Sequence, residues 1–206
     1  AANRLKSCGT EYKKVNKRTW NRIVKAKYNS NGDATIGKTK YRRIKYKDSI
    51  YDGNTYWGRD EDDSWKKKYH YFKYEPVKWR VLKVSGNDAF LLADKALDKQ
   101  WYHSTQKNIT WEKCSMRSWL NSTFLNAAFS TNQKKAIKTT NVSNAGNIEY
   151  GTSGGKDTQD KIFLLSEREV YYTAAAQSYG FIKDSKVKDE ARRCKSSTYA
   201  KAMGAM

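Results

Sequence analysis

The sequence has little of several residue types that mark common protein classes. Its 206 residues include one proline, three cysteines and two histidines. No apolar run approaches the ~20 residues that a membrane-spanning helix needs, so we expect no membrane span. No Cys-x-x-Cys pair is present, which argues against a structural zinc site, and no motif predicts a cofactor. The odd number of cysteines (Cys8, Cys114 and Cys194) leaves their pairing open.

Acidic residues are also scarce: 21 Asp and Glu stand against 41 Lys and Arg, which gives a formal net charge of +20. Aromatic residues make up 14% of the chain, and this excludes a disordered polyelectrolyte, because such chains are poor in aromatics. A strong basic excess predicts attraction to an acidic partner, such as nucleic acid, an anionic surface polymer or a glycan.

The charge is uneven along the chain, since residues 1–60 hold 16 Lys and Arg but only 5 Asp and Glu. We therefore predict a basic N-terminal arm or leader over residues 1–35, with one short helix near Arg18–Ala26. Residues 36–206 are expected to form a single module.

The periodicity of the module predicts both strands and helices. Alternating residues predict a strand at Tyr41–Tyr46 and a hairpin from Val77–Val84 and Ala89–Ala93. Ser115 is predicted to cap a helix that continues through Phe124, and Ser130–Gln133 matches a capping box.

The C-terminal part continues this mixture. Residues 143–160 predict a loop, Lys161–Leu165 a buried strand, and Ser166–Glu169 another capping box. A last helix is expected over Asp189–Met203, ended by Gly204. The order of elements predicts an α+β fold with a mixed sheet, a hairpin and several short helices.

Chemistry-bearing residues are few. His70, His103 and Cys114 could each supply a reactive group, but no nucleophilic triad or phosphate-binding loop is present, so we expect no enzymatic activity. Aromatic and cationic residues instead alternate between positions 41 and 74, a pattern suited to stacking and to pairing with anions. The predicted ligand-binding residues are Arg42, Arg43, Trp57, Trp65, Tyr69 and Tyr71. The alternative is that alternate aromatics only cover one face of a sheet.

Several longer motifs carry a family resemblance. They include Glu75-Pro-Val-Lys-Trp-Arg-Val-Leu82, Ala89-Phe-Leu-Leu-Ala-Asp94, Trp111-Glu-Lys-Cys-Ser-Met-Arg-Ser-Trp-Leu-Asn121, Phe124-Leu-Asn-Ala-Ala-Phe129, the run from Tyr150 to Ser166 and Tyr199-Ala-Lys-Ala-Met-Gly204. Over roughly residues 36–204 the chain resembles a large family of secreted or surface-anchored modules of unknown function from Gram-positive gut anaerobes. That family is similar to C-type-lectin-like and formylglycine-generating-enzyme-like folds.

The resemblance implies an exported, non-enzymatic binding or adhesion module at the cell surface, with an anionic, glycan or protein ligand. Members of the family usually continue beyond this point into a Trp-Leu-Arg-Ser-Pro-Gly segment, so we expect a shortened C-terminal part here. Two alternatives from other classes remain. One is a nucleic-acid-binding protein that uses the basic N-terminal segment, and the other is an enzyme with a cysteine or histidine as its reactive group.

Overall fold

A computed structural model describes residues 3–9, 15–45, 48–49 and 69–205. Within these ranges the strands are β1 (Asn3–Gly9), β2 (Asp33–Ile36), β3 (Thr39–Lys45), β4 (Tyr69–Pro76), β5 (Trp79–Ser85), β6 (Asp88–Ala93), β7 (Lys95–Ala96), β8 (Thr140–Val142), β9 (Thr158–Asp160) and β10 (Lys195–Ser196). The α-helices are α1 (Lys17–Lys25), α2 (Ser115–Trp119), α3 (Leu125–Ala128), α4 (Thr131–Ala136), α5 (Ala174–Ser178) and α6 (Thr198–Ala202). The chain is therefore α+β, as predicted.

The residues divide into two compact units. We call one the sheet unit, which contains the described residues of 3–78 together with 93–99 and 195–205. We call the other the hairpin unit, which contains Trp79–Leu92 and Gln100–Cys194. Every helix in the described ranges is too short or too polar to span a lipid bilayer.

The sheet unit is built on a four-stranded antiparallel sheet in the order β1-β4-β3-β2. Side chains alternate between its two faces, so each face can bury its own apolar set. On one face, Phe72 and Tyr74 pack with Tyr199 and Ala202 of α6. On the other, Tyr41 and Tyr71 pack with Ile23 of α1.

Helix α1 forms where the sequence predicts a helix at Arg18–Ala26. The side chain of Asn16 accepts a hydrogen bond from the backbone N–H of Thr19 and so caps the helix. Ile23 is fully buried beneath the helix. Residues 1–35, the predicted arm, thus include β1, α1 and the first part of β2.

One glycine is required by the connection between α1 and β2. Gly32 has a φ of +75°, and a Cβ placed on it would lie 2.5 Å from the carbonyl oxygen of Arg43. Its own carbonyl accepts a hydrogen bond from the N–H of Arg43 at 2.8 Å. This close approach ties the turn before β2 to the strand that carries Arg43.

The hairpin unit contains the predicted hairpin, formed by β5 and β6. Leu82 of this hairpin packs with Ala176 and Phe181 in a small core. The helix after residue 115 changes to π-helical winding over Leu120–Phe124 before it continues as α3. The capping box at Ser130 is present in full, as predicted.

Three local predictions are wrong, and the loop predicted over residues 143–160 is wrong at its end, where Thr158–Asp160 form β9. The N-cap before α2 is Cys114, whose sulfur accepts from the N–H of Arg117, and Ser115 is the first helical residue. Lys161–Leu165 is not a strand, because the side-chain oxygen of Asn121 takes the N–H groups of Lys161 and Ile162.

The third wrong prediction is a continuous helix over Asp189–Met203. The segment is divided into a 3-10 turn at Glu190–Arg192, strand β10 and helix α6. The division arises because β10 pairs in parallel with β7, and Ser197 then caps a new helix. Gly204, with a φ of +93°, follows the end of α6, as the sequence predicts.

Candidate anion-binding site

A cluster of aromatic rings surrounds Arg43 in the sheet unit. The Arg43 guanidinium lies over the rings of Tyr28 and Tyr69, 4.5 and 4.2 Å from their centroids. The Tyr71 hydroxyl lies near the same charge and is influenced by it. Trp20 packs edge-on against Tyr71, with ring centroids 5.2 Å apart. We call these five residues, Trp20, Tyr28, Arg43, Tyr69 and Tyr71, the Arg43 cluster.

Strand register brings the cluster together. Arg43 of β3 lies opposite Tyr71 of β4, and Lys45 lies opposite Tyr69, so these side chains share one face. Tyr28 is added from the chain after α1, where its hydroxyl donates to the carbonyl oxygen of Ile23 at 2.8 Å. Burial raises the pKa of the Tyr71 hydroxyl, although the neighbouring Arg43 charge opposes that rise. The Tyr71 hydroxyl is therefore neutral at physiological pH.

The guanidinium of Arg43 is oriented by aromatic rings and not by an acidic partner from the described part of the chain. Among the residues that the structure describes, no carboxylate lies within ion-pairing distance of it, whereas Asp33 pairs with Arg42 and Lys40 instead. A guanidinium held over aromatic rings keeps its N–H donors at its edge, where an anion can meet them in a bidentate arrangement. The cluster is thus chemically suited to bind an oxyanion.

Arg42 is on the opposite face and is fully engaged. Its Nε and NH2 groups donate to the two carboxylate oxygens of Asp33 at 2.7 and 2.9 Å. The Tyr74 hydroxyl donates to the same carboxylate at 3.0 Å. Burial would raise the pKa of Asp33, but hydrogen bonding and charge from Arg42 outweigh it, so the pKa lies below its usual value. This ion pair stabilises the sheet. Both carboxylate oxygens of Asp33 already accept hydrogen bonds, so the pair is not available to a ligand.

Basic side chains cover the outer surface of α1. Arg18, Arg22 and Lys25 follow one another at helical spacing and are exposed, so they lie on one face of the helix. Asp33 is the only acidic residue between positions 15 and 45, where ten lysines and arginines occur. Since that carboxylate is buried and paired, it does not offset the charges at the surface of α1.

The predicted site residues are placed as follows. Arg43, Tyr69 and Tyr71 come together in the Arg43 cluster, and Arg42 lies on the other face of the sheet because it is the next residue along a strand. Trp57 and Trp65 lie outside the described residues. Tyr28 and Trp20 were not predicted. No sequence signal marks Tyr28, whereas Trp20 stands out only as an aromatic on the apolar side of α1.

The hairpin unit has a second buried carboxylate, Asp160, with a structural role. Its oxygens accept from the Trp111 indole at 3.0 Å, from Arg117 Nε at 2.8 Å and from the Thr158 hydroxyl at 2.7 Å. The preceding loop is held by Asp157, which accepts from the N–H of Asn144 at 3.0 Å. That hydrogen bond lowers the pKa of the exposed Asp157 carboxyl. These contacts fit the ordered surface loop that the glycine-rich sequence suggests.

Cys114, His70 and His103 are used for packing and capping, whereas Cys194 is exposed. Cys114 is completely buried, and it and Cys194 are both free thiols. His103 Nδ1 accepts from the N–H of Ser115, and His70 is buried and stacked on Phe72. Burial, reinforced by the adjacent Cys114, raises the pKa of Tyr102 to about 12. No three His, Cys, Asp or Glu side chains converge as a metal site within the described ranges.

Comparison with known proteins gives one match. A family described as a domain of unknown function, DUF6273, matches residues 86–203, which is more than half of the chain. No curated protein is significantly similar to the chain. No solved structure is either. The matched range includes most of the hairpin unit and the C-terminal part of the sheet unit, whereas the Arg43 cluster precedes it.

Proposed function

The chain belongs to the DUF6273 family of domains of unknown function, and from that premise we propose that it is a non-enzymatic module that binds an anionic ligand at the cell surface. The ligand is an acidic polymer or glycan. It contacts the cationic face of α1 and the Arg43 cluster. The binding is reversible and requires no cofactor.

The observation that carries this proposal is the local charge of residues 15–45. Seven of the ten cations in this segment are exposed, and the one acid is buried against Arg42 and Lys40. An excess of exposed cations within one segment favours a positive local potential, which attracts polyanions and speeds their association. Such exposed charges contribute little to folding, so their presence in one segment favours a role in binding.

A non-enzymatic role is supported by how the reactive residue types are used. Cys114 is buried and caps α2, and His103 Nδ1 accepts a backbone N–H. Both side chains therefore have structural partners in the fold. A general base or nucleophile needs access to a bound substrate.

The location at the cell surface is proposed from the family resemblance. The motifs between Glu75 and Gly204 resemble exported modules of Gram-positive gut anaerobes, a family that looks similar to C-type-lectin-like folds. The α+β architecture with its hairpin is compatible with that class. Lectin-like modules bind saccharides, and this favours an acidic glycan among the polyanions.

Nucleic acid is the second candidate ligand, and the exposed cations of α1 are the observation that favours it. Binding to single strands also uses open aromatic faces on which bases stack. In the Arg43 cluster, a face of Tyr28 and a face of Tyr69 are already covered by the guanidinium. The cluster is therefore better suited to an anionic group than to a base.

The test is a salt series on immobilised heparin, bacterial cell-wall polymer and duplex DNA. We expect the wild-type chain to be retained on an acidic glycan near physiological salt and to elute as salt rises, because counterions compete for the cations. Retention on DNA alone would favour the second candidate. Retention on none of the three at low salt would contradict anion binding altogether.

A matched pair of variants locates the binding surface. One replaces Arg18, Arg22 and Lys25 with glutamine, and the other replaces Lys83, Lys107 and Lys113, which are exposed in the hairpin unit. Both remove three positive charges. We expect the first variant to elute at clearly lower salt and the second to elute close to wild type. Equal shifts would mean that only net charge matters.

A further inference from the structure

We propose that the edge of the Arg43 guanidinium binds a single carboxylate group of an acidic polysaccharide and so selects uronic-acid polymers among polyanions. This inference rests on the proposed function, because it names the ligand class of the same surface. It is separate from the attraction exerted by α1, which acts on any polyanion. It concerns Arg43, which lies over two tyrosine rings and has no carboxylate partner among the residues that the structure describes.

The first step is the orientation of the guanidinium. The two rings at 4.2 and 4.5 Å, one from Tyr69 and one from Tyr28, restrict its rotation. A ligand therefore meets donors in a fixed arrangement and loses less side-chain entropy on binding than it would at a free lysine. Fixed donors favour an anion of matching shape over one of merely higher charge.

The second step is the shape of the anion. A guanidinium presents pairs of parallel N–H donors in one plane, and a carboxylate presents two oxygens that lie in that same plane. The rings of Tyr28 and Tyr69 cover faces of the group and leave the edge as the direction of approach. A flat carboxylate lies in the same plane as the guanidinium and fits between the neighbouring side chains. A tetrahedral sulfate or phosphodiester places an oxygen outside that plane.

The third step is the surroundings of the edge. Tyr69 and Tyr28 are half-buried, so part of each ring is still exposed beside the guanidinium. Lys45 is exposed at the position opposite Tyr69 and adds a second cation nearby. A polymer with one carboxylate on each sugar could pair its acids with both cations and cover the exposed ring edges with its sugar rings.

The experiment measures dissociation constants at a fixed ionic strength for three probes, oligogalacturonate, dextran sulfate and duplex DNA. They are measured for the wild type, for Arg43→Lys and for Lys27→Gln. Arg43→Lys keeps the charge and loses the planar fork. Lys27→Gln removes one exposed charge of the segment and leaves the fork intact. Thermal unfolding of each variant checks that it is folded.

We expect Arg43→Lys to weaken oligogalacturonate binding about tenfold, as the loss of one charged bidentate contact implies. Its binding to dextran sulfate and DNA should change less than about twofold, since an exposed charge is retained. Lys27→Gln should weaken the binding of all three probes to a similar small extent. Wild-type affinities that follow charge density alone, with no specific effect of Arg43→Lys, would overturn this inference and leave anion binding intact. Binding to none of the probes would instead reject the proposed function itself.

Discussion

Arg42 and Arg43 are neighbours in β3, yet they have opposite environments. Arg42 donates two hydrogen bonds to the buried Asp33, and although burial opposes its charge, these bonds and nearby charges raise the pKa of Arg42 above its usual value. Arg43 lies over two tyrosine rings with no carboxylate partner among the described residues. The same residue type thus stabilises the fold on one face of a sheet and remains available to a ligand on the other. Strand alternation alone separates the two roles.

Removing Asp33, the acid that pairs with Arg42, should have the largest effect on stability. In Asp33→Ala, Arg42 keeps its charge without its partner, and the Tyr74 hydroxyl loses its acceptor. We expect the free energy of unfolding to fall by about 3–5 kcal/mol, because breaking a buried ion pair leaves an uncompensated charge. Urea unfolding measures this. A loss below about 1 kcal/mol would mean that water replaces Asp33, and the contrast between the two arginines would disappear.

The next largest effect on stability should come from Asp98, a titratable acid on the Arg42 side. Burial raises the pKa of Asp98 to about 6, above its unfolded value of 3.8. The folded state therefore holds this proton more tightly than the unfolded chain does. Its contribution to stability is greatest below about pH 4 and is lost as the pH rises through 6.

Asp98→Asn should remove that dependence on pH. We expect the variant to be more stable than the wild type by about 1–2 kcal/mol at pH 8, and the difference to shrink below pH 4. Unfolding curves of both proteins at several pH values measure the difference, in which the contributions of the other carboxyls cancel. A constant difference across pH would mean that Asp98 ionises normally in the folded chain.

A smaller effect on stability is expected when Tyr28 keeps its ring and loses its hydroxyl. Tyr28→Phe removes the hydrogen bond to the carbonyl oxygen of Ile23 but keeps a ring beneath Arg43. We expect a loss of about 1 kcal/mol in stability, as is typical for one hydrogen bond. Anion affinity should be unchanged. Equal losses of affinity and stability would show that the hydroxyl itself contacts the ligand.

Features that depend on near neighbours in the sequence were predictable. Helix α1, the β5–β6 hairpin and the capping box at Ser130 each follow from periodicity or from residues within one turn. The wrong predictions occur where a group that is distant in the sequence takes the backbone hydrogen bonds of a segment. Asn121 takes the backbone N–H groups of Lys161 and Ile162 from about forty residues away, and β10 pairs with β7 about a hundred residues earlier.

The same distinction applies to the site. Arg43, Tyr69 and Tyr71 were predicted because cations and aromatics alternate along two segments. Their division from Arg42 follows from strand alternation once the strand is known. Asp33 and Tyr28 could not be predicted as partners, because the register between β2 and β3 and the path after α1 decide which arginine each one meets.

The most direct test of the account measures the stability and the affinity of one variant, Arg43→Met, in the same preparation. Methionine keeps the apolar contact with the tyrosine rings and removes the charge and the donors. We predict a free energy of unfolding within about 2 kcal/mol of the wild type, since each of the two cation–π contacts of Arg43 contributes about 1 kcal/mol. Affinity for oligogalacturonate should fall at least about tenfold. A loss of several kcal/mol in stability with unchanged affinity would contradict the account, because Arg43 would then be a structural residue like Arg42.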